Sequence, residues 1–217
     1  DDFWDGQTYN VDIDDDAVMP ELVATSTIRY PYGAGQTGAD GGFFNTASRT
    51  TQHVIMPSYL APQGQPLTLT GMTYVGANTF GQYIYTNTLK VTLGYLNPAF
   101  NPPEPGQNPI PSNNYQNNIV AGSEVTVYQD FFSTFSTFRI PFNIESFDYD
   151  PAKGPLVVTT RWTGWVAPSG TPLVTVHDNA ALGVGVVHFS AGYDATTAGS
   201  IGTRVPLIDF SAITDKR

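Results

Sequence analysis

The stretch that decides the fold is residues 123–162, which read SEVTVYQDFFSTFSTFRIPFNIESFDYDPAKGPLVVTTRW. Apolar and polar residues alternate in three short segments, at 125–128, 137–142 and 156–162. Alternation with a period of two, in segments rich in Val, Thr and aromatic residues, predicts half-buried β-strands. Residues 148–155 combine Asp, Pro and Gly, which favour turns. The stretch therefore predicts antiparallel strands joined by short turns.

The same pattern continues on both sides, and no window shows helical periodicity. Further strands are predicted at 8–13, 22–30, 53–56, 67–75, 81–85, 89–94, 172–176, 183–189 and 205–210. Residues 97–118 form a Pro/Asn-rich excursion that contains too much Pro for ladder pairing. We expect an all-β fold, an antiparallel two-sheet sandwich that is jelly-roll-like. The predicted organisation is an acidic N-terminal extension with a strand (1–16) and a single β-sandwich domain (17–217).

The composition indicates an exported protein. Only 13% of the 217 residues are charged, the formal net charge is −10 and there is no Cys. The negative charge argues against nucleic acid or an anionic membrane as the partner, and no apolar run is long enough for a membrane span. Because the sequence starts at Asp1 without an apolar leader, we expect an extracellular or cell-surface chain whose signal peptide has been removed.

Residues 89–162 resemble a jelly-roll-like β-sandwich module of bacterial secreted and surface-anchored proteins. The similarity lies in an L-x-V-x-L-G strand at 89–94, a Pro/Asn-rich loop, a short V-Y strand, an aromatic strand ending in I-P-F at 140–142, and F-x-Y-D-x-x-x-G-x-L-V-V at 147–158. The resemblance implies an extracellular adhesive, anchoring or structural role without a defined active site.

The acidic N-terminal segment offers a candidate metal site. Asp12, Asp14 and Asp16 alternate along the chain, and like charges this dense repel one another without a counter-ion. Calcium, which binds carboxylate and carbonyl oxygens, is the cation that suits such a segment. The other interpretation is a solvated acidic edge that blocks unwanted strand pairing.

No pattern in the sequence indicates catalysis. There is no Cys and no G-x-S-x-G motif, and the three His residues lack metal-ligand spacing. Glycoside hydrolysis requires two carboxyl groups across a cleft, and Glu124 and Glu145 are the one Glu pair on or near predicted strands. We therefore expect that the protein is not an enzyme.

The favoured function is a structural one, as a subunit of a surface assembly or filament. The segment 8–13 places Tyr9, Val11 and Ile13 on one face, which an isolated strand at a chain end cannot bury alone. These three residues are the predicted subunit contact. We expect the segment to complete a neighbour's sheet by strand addition, which makes the chain a homo-oligomer or polymer.

The alternative function is a carbohydrate-binding or adhesive β-sandwich module with polysaccharide as the partner. Trp residues and the twelve Tyr residues could supply a stacking face. Trp162 falls on the apolar face of its predicted strand and is expected in the core. Trp165, which follows Gly164, is expected to be exposed, and Trp165 and Trp4 are the candidate glycan-binding residues.

Overall fold

The structure is a computed structural model that describes residues 25–31, 38–40, 47–77, 83–102, 104, 106–135, 139–166, 174–178, 185–202 and 204–213. Strands dominate this part of the chain. They are β1 (Thr25–Tyr30), β2 (Gly38–Asp40), β3 (Arg49–Ile55), β4 (Leu67–Val75), β5 (Tyr83–Tyr95), β6 (Val125–Phe135), β7 (Arg139–Tyr149), β8 (Leu156–Trp162), β9 (Trp165–Val166), β10 (Val174–Asp178), β11 (Gly185–Ala191), β12 (Ser200–Gly202), β13 (Arg204–Pro206) and β14 (Ile208–Ile213). The helices are α1 (Pro57–Leu60) and 3-10 helices at Pro98–Phe100, Tyr115–Asn118 and Pro151–Lys153. No helix among the described residues is long and apolar enough to cross a membrane.

The two main sheets have the connectivity of a jelly roll. The first sheet has the order β1-β14-β4-β7, and the second contains β3-β8-β5-β6. Numbered one to eight in chain order, these strands give the orders 1-8-3-6 and 2-7-4-5, with the first strand beside the last. All described strand pairs in the two sheets are antiparallel, as two Greek keys require. The predicted all-β, jelly-roll-like sandwich is confirmed.

A long insertion between β8 and β14 elaborates this framework. It carries β9 to β13 and extends the second sheet beyond β3, in the order β12-β11-β3-β8-β5-β6. Strand β9 pairs with β5, and β10 joins β2 and β13 in a separate three-stranded sheet. The insertion therefore adds strands next to β3 and a loop, after β11, that lies over the second sheet.

The core lies between the two main sheets and is rich in aromatic residues. Its largest fully buried side chains include Trp162, Trp165, Tyr30, Tyr74, Tyr149 and Phe210. The indole of Trp162 donates a hydrogen bond to the carbonyl of Ala47 at 3.0 Å. The expected core position of Trp162 is thus confirmed, and the buried indole N–H has the acceptor that its burial requires.

Strand β8 is buried on both of its faces. Val157, which points away from the main core, packs with Val54, Leu96 and Ile119 in a second hydrophobic cluster. This cluster exists because Leu96 and Ile119, at the two ends of the Pro/Asn-rich excursion at 97–118, pack over the second sheet. The prediction that this strand is half-buried is therefore wrong, since alternation shows that two faces differ but not what covers the second one.

Candidate functional site

The outer face of the second sheet carries polar side chains in two rows that run across the strands. Leu89 and Val91 point into the core, so the intervening Lys90 points outward because successive residues of a strand face opposite sides. The strand register extends this row sideways. It aligns Gln129, Lys90, Arg161, Thr50 and Ser190 in one row and Thr126, Thr92, Thr159 and Gln52 in the other.

Part of this face opens as a polar cleft with a volume of about 510 Å³. Strands β5, β6 and β8 form its floor, and the 3-10 helix at Tyr115–Asn118 and the loop after β11 contribute its walls. Two basic and two acidic side chains meet here, although the chain is poor in charge. The lining residues are Lys90, Thr92, Gln116, Glu124, Thr126, Gln129, Arg161, Tyr193 and Asp194.

Arg161 ties the loop after β11 to the sheet. Its Nη1 donates hydrogen bonds to the carbonyl oxygens of Tyr193 and Ala195, both at 2.9 Å. The same nitrogen lies 3.1 Å from the Thr50 hydroxyl, which in turn lies 2.9 Å from the Tyr193 carbonyl. Since hydrogen bonds to a charged group are stronger than neutral ones, Arg161 fixes the position of this loop at the cleft.

The loop places a phenol and a carboxylate at the cleft. Burial raises the pKa of Tyr193, the neighbouring Asp194 raises it further, and Arg161 opposes both effects. Tyr193 therefore stays protonated at neutral pH and can donate a hydrogen bond. On the strand side, Glu124 accepts a hydrogen bond from the Thr92 hydroxyl at 2.7 Å. The cleft thus presents donors and acceptors from both the sheet and the loop.

A buried amide pair holds the other wall. The side chain of Asn118, which is fully buried, donates to Gln52 Oε1 at 2.8 Å and to the Ser112 carbonyl at 2.9 Å. Its own Oδ1 accepts from the Ser112 N–H at 2.6 Å. Gln52 Nε2 donates to the Tyr115 carbonyl at 3.1 Å. These bonds dock the helical turn that carries Gln116 onto the sheet.

The two walls also brace each other. The Tyr115 hydroxyl donates to Ser190 Oγ on β11 at 2.9 Å, and the Tyr115 N–H donates to the Thr196 carbonyl at 3.0 Å. The N–H of Ala198 donates to the Asn113 carbonyl at 2.7 Å. These hydrogen bonds fix the positions of the two walls relative to each other.

The predicted exposure of Trp165 is wrong. Its side chain is only 2% exposed, and its ring packs edge-on against Phe132 with 5.6 Å between centroids. Strand β9 pairs Trp165 with Thr86, which is also buried, and this pairing turns the indole into the core. Trp165 therefore offers no surface on which a sugar could stack.

The other residues predicted for function lie outside the described residues. These are Trp4, the calcium candidates Asp12, Asp14 and Asp16, and the contact residues Tyr9, Val11 and Ile13. Within the described part of the chain, no three His, Asp or Glu side chains lie together in a way that could hold a metal ion.

The structure separates the two carboxylates considered for hydrolysis. Glu124 lines the cleft on the second sheet, whereas Glu145 is exposed on β7 of the first sheet. His53 is 1% exposed, and burial lowers its pKa to about 3, so that it is neutral at physiological pH. His53 is thus a core histidine, as its apolar strand predicts.

Sequence reasoning missed most of the cleft. Arg161 and Lys90 appear in the sequence as ordinary polar positions of alternating strands, and Tyr193 follows the predicted strand at 183–189. The one available signal was the scarcity of charge, which makes each cation on a predicted strand unusual. That signal cannot show that β5 and β8 are neighbours.

The fold and the cleft define the class of the protein as an all-β jelly-roll sandwich with a polar cleft on one sheet. Comparison of the chain with protein-family models, with curated proteins and with solved structures found no match in any of the three.

Proposed function

We propose that this chain is an extracellular carbohydrate-binding β-sandwich protein and that the polar cleft is its binding site. The observation that carries the proposal is the lining of the cleft. Lys90, Arg161 and Gln129 supply donors, Glu124 and Asp194 supply acceptors, and hydroxyl groups supply both. A sugar presents a similar mixture of donors and acceptors around an apolar ring, which makes it a complementary ligand.

The charges favour a neutral glycan. Two cations and two anions line the cleft, so their charges cancel and no ion of either sign is strongly preferred. The chain as a whole carries −10 and repels polyanions, an effect that extends over about 8 Å at physiological salt. Acidic polysaccharides and nucleic acids are therefore poor candidates, whereas an uncharged polysaccharide meets no repulsion.

The fold is compatible with carbohydrate binding but does not by itself indicate this function. Jelly rolls occur in lectin domains and in capsid domains, and a fold by itself does not imply a function. The proposed extracellular location rests on the low charge content and the resemblance of residues 89–162 to secreted modules.

Replacing Glu124 by Ala is expected to weaken glycan binding by about tenfold to a hundredfold, because a hydrogen bond to a charged group is worth about 1.5–3 kcal/mol. The measurement is affinity electrophoresis in gels that contain xylan, mannan or β-glucan, with alginate as the anionic comparison. Release of reducing ends is followed in parallel, and we expect none.

Glu145→Ala is the matched control, since Glu145 is also exposed but lies on the other sheet. It should migrate as wild type does. Failure of the wild-type chain to be retarded by any neutral polysaccharide would contradict the proposal, and so would equal binding by the two variants. Hydrolysis that depends on Glu124 would show that the chain is an enzyme.

A second candidate function is the structural one, a subunit joined to its neighbours by strand addition. The observation that favours it is the edge formed by β1. Six consecutive residues of β1 pair with β14 without a register shift, from Thr25 opposite Ile213 to Tyr30 opposite Ile208. Among the described strands, β14 is its one neighbour in the sheet. A regular edge of this kind is a template for an added strand.

Deletion of residues 1–13 tests this second candidate. It removes Tyr9, Val11 and Ile13, the proposed donor contacts, and also Asp12 from the proposed calcium segment. We expect the full-length chain to self-associate without glycan, more strongly with calcium, and the truncated chain to be a folded monomer. Light scattering after size-exclusion chromatography, with calcium or chelator, measures the mass. A monomeric full-length chain together with an unfolded truncated chain would mean that the segment belongs to its own core.

A further inference from the structure

An exposed aromatic pair lies on the same outer face as the cleft. Tyr85 on β5 is 37% exposed and Phe131 on β6 is 51% exposed. Their ring centroids are 5.9 Å apart and the rings are tilted by 33°. Val166 of β9, which is paired with Tyr85, is 40% exposed. These three exposed apolar side chains form one apolar patch.

The strand pattern places this patch outside the core. Thr86 and Phe132, which are paired, are both buried, and neighbouring residues of a strand point to opposite faces. Tyr85 and Phe131 therefore point to the same side as Lys90. Phe131 is two positions from the cleft residue Gln129 on β6, or about 7 Å, and Tyr85 is paired with Ser133, four positions from Gln129, or about 13 Å at roughly 3.3 Å per residue.

The backbone at Phe131 is held in place by its neighbours. The Tyr128 hydroxyl donates a hydrogen bond to the Phe131 carbonyl at 3.0 Å, and the Phe131 N–H donates to Asp130 Oδ1 at 2.7 Å. The register between β5 and β6 shifts at this point, between Thr86 and Leu89. The extra residue lies on β5, where Asn87 and Thr88 are opposite Phe131, and this bulge is why Tyr85 and Lys90 share a face although they are five positions apart.

We propose that Tyr85 and Phe131 form a stacking subsite for a second part of the same glycan chain that the polar cleft binds. The inference rests on the proposed function. A pyranose ring has a flat face of C–H groups, which packs on the face of an aromatic ring while the hydroxyl groups stay in water. The patch begins beside the cleft and extends away from it along the strands, so one sugar ring in the cleft does not cover both aromatic rings. The preferred ligand is therefore an extended, uncharged polysaccharide that lies along β5 and β6.

The area of the patch favours a sugar over a protein partner. A fully buried aromatic side chain contributes about 150–250 Å², so the exposed fractions leave roughly 100 Å² on each ring. A stable protein interface needs about 800 Å² on each side. The patch is far too small for that, whereas it matches the face of a single ring.

The test compares oligosaccharides of increasing length, from disaccharides to hexasaccharides, of the neutral polysaccharide that wild type binds best. Phe131→Ala and Tyr85→Ala should each weaken binding of the polysaccharide and the longest oligosaccharides by about threefold to tenfold. Tyr85→Ala should bind disaccharides as wild type does, because Tyr85 is the ring farther from the cleft and a disaccharide in the cleft does not reach it. Phe131→Tyr should keep wild-type affinity for every length. Isothermal titration calorimetry gives the affinities.

Ile110→Ala is the matched control because Ile110 is an exposed apolar residue, at 70%, in the loop at 106–114. Equal binding of all lengths by wild type, Phe131→Ala and Tyr85→Ala, together with lost binding in Glu124→Ala, would overturn the subsite but leave the function standing. A uniform loss across all lengths in the two aromatic variants would also overturn it. Absence of glycan binding by wild type would overturn the subsite and the proposed function together.

Discussion

Replacing Gly185 by alanine is expected to destabilise the protein by about 3–5 kcal/mol, in the range that only severe steric conflicts reach. A Cβ at this position would overlap with the carbonyl oxygen of Val54 and lie 2.9 Å from the hydroxyl of Tyr30. Gly185 has φ +154° and pairs with Ile55 at the start of β11. Because the obstacle is backbone, no rotamer change can relieve it, and β11 must move away from β3.

The measurement is chemical denaturation followed by tryptophan fluorescence. Gly122→Ala is the matched control, since Gly122 has φ +78° and a Cβ added there would meet no atom within 4 Å. It should cost only about 1–2 kcal/mol, the penalty for a left-handed conformation in a residue with a Cβ. Similar losses in the two variants would contradict the steric argument and show that backbone conformation alone sets the cost.

The second large effect is expected for Asn118→Leu, which should destabilise the protein by about 2–5 kcal/mol. The substitution keeps the approximate size of the side chain but removes its hydrogen bonds to Gln52 and Ser112. Gln52 is 1% exposed, so its Oε1 loses a partner that water cannot replace. Each buried polar group left unsatisfied costs about 1–3 kcal/mol.

The adjacent Asn117 offers a close control for this prediction. It is exposed, and Asn117→Leu should change stability by less than about 0.5 kcal/mol. Asn118→Leu should also weaken glycan binding at temperatures where the sheet stays folded, because Gln116 is carried on the same helical turn. Equal stability of the two variants would mean that the network does not hold the segment on the sheet.

The Asn118 prediction and the candidate site share one structural cause, which is that the outer face of the second sheet is covered unevenly. Leu96 and Ile119, at the two ends of the Pro/Asn-rich excursion, bury one part of it, and the loop after β11 is anchored over another part by Arg161. What remains between them is the polar cleft. The candidate site therefore depends on two long connections, while the jelly-roll framework supplies the rigid floor.

The sequence by itself determined that the fold is all-β. It also determined the exact first and last residues of some strands. The strands predicted at 67–75 and 156–162 are β4 (Leu67–Val75) and β8 (Leu156–Trp162). The turn predicted at 148–155 contains the 3-10 helix at Pro151–Lys153, followed by Gly154 with φ +116°. Alternation and turn residues are local features, so they can be recognised without knowing the partners of a strand.

Some strand boundaries depended on pairing and could not be predicted. The described part of the segment predicted at 81–85 and the segment predicted at 89–94 belong to one strand, β5 (Tyr83–Tyr95), with a register shift against β6 between Thr86 and Leu89. The interruption of the pattern suggested a break, whereas the structure accommodates it as an irregularity within a continuous ladder. A bulge is a property of two strands, and one strand alone does not reveal it.

Only the tertiary structure decided the site. The sequence suggested an exposed Trp165, but the pairing of β9 with β5 buries its indole. The cleft joins Lys90, Glu124, Arg161 and Asp194, which are brought together by strand order and by a loop anchored far from them in sequence. Alternation shows which residues of one strand share a face. Which strands become neighbours is set by the long-range packing of the whole core, and that packing is what places these four charges in one cleft.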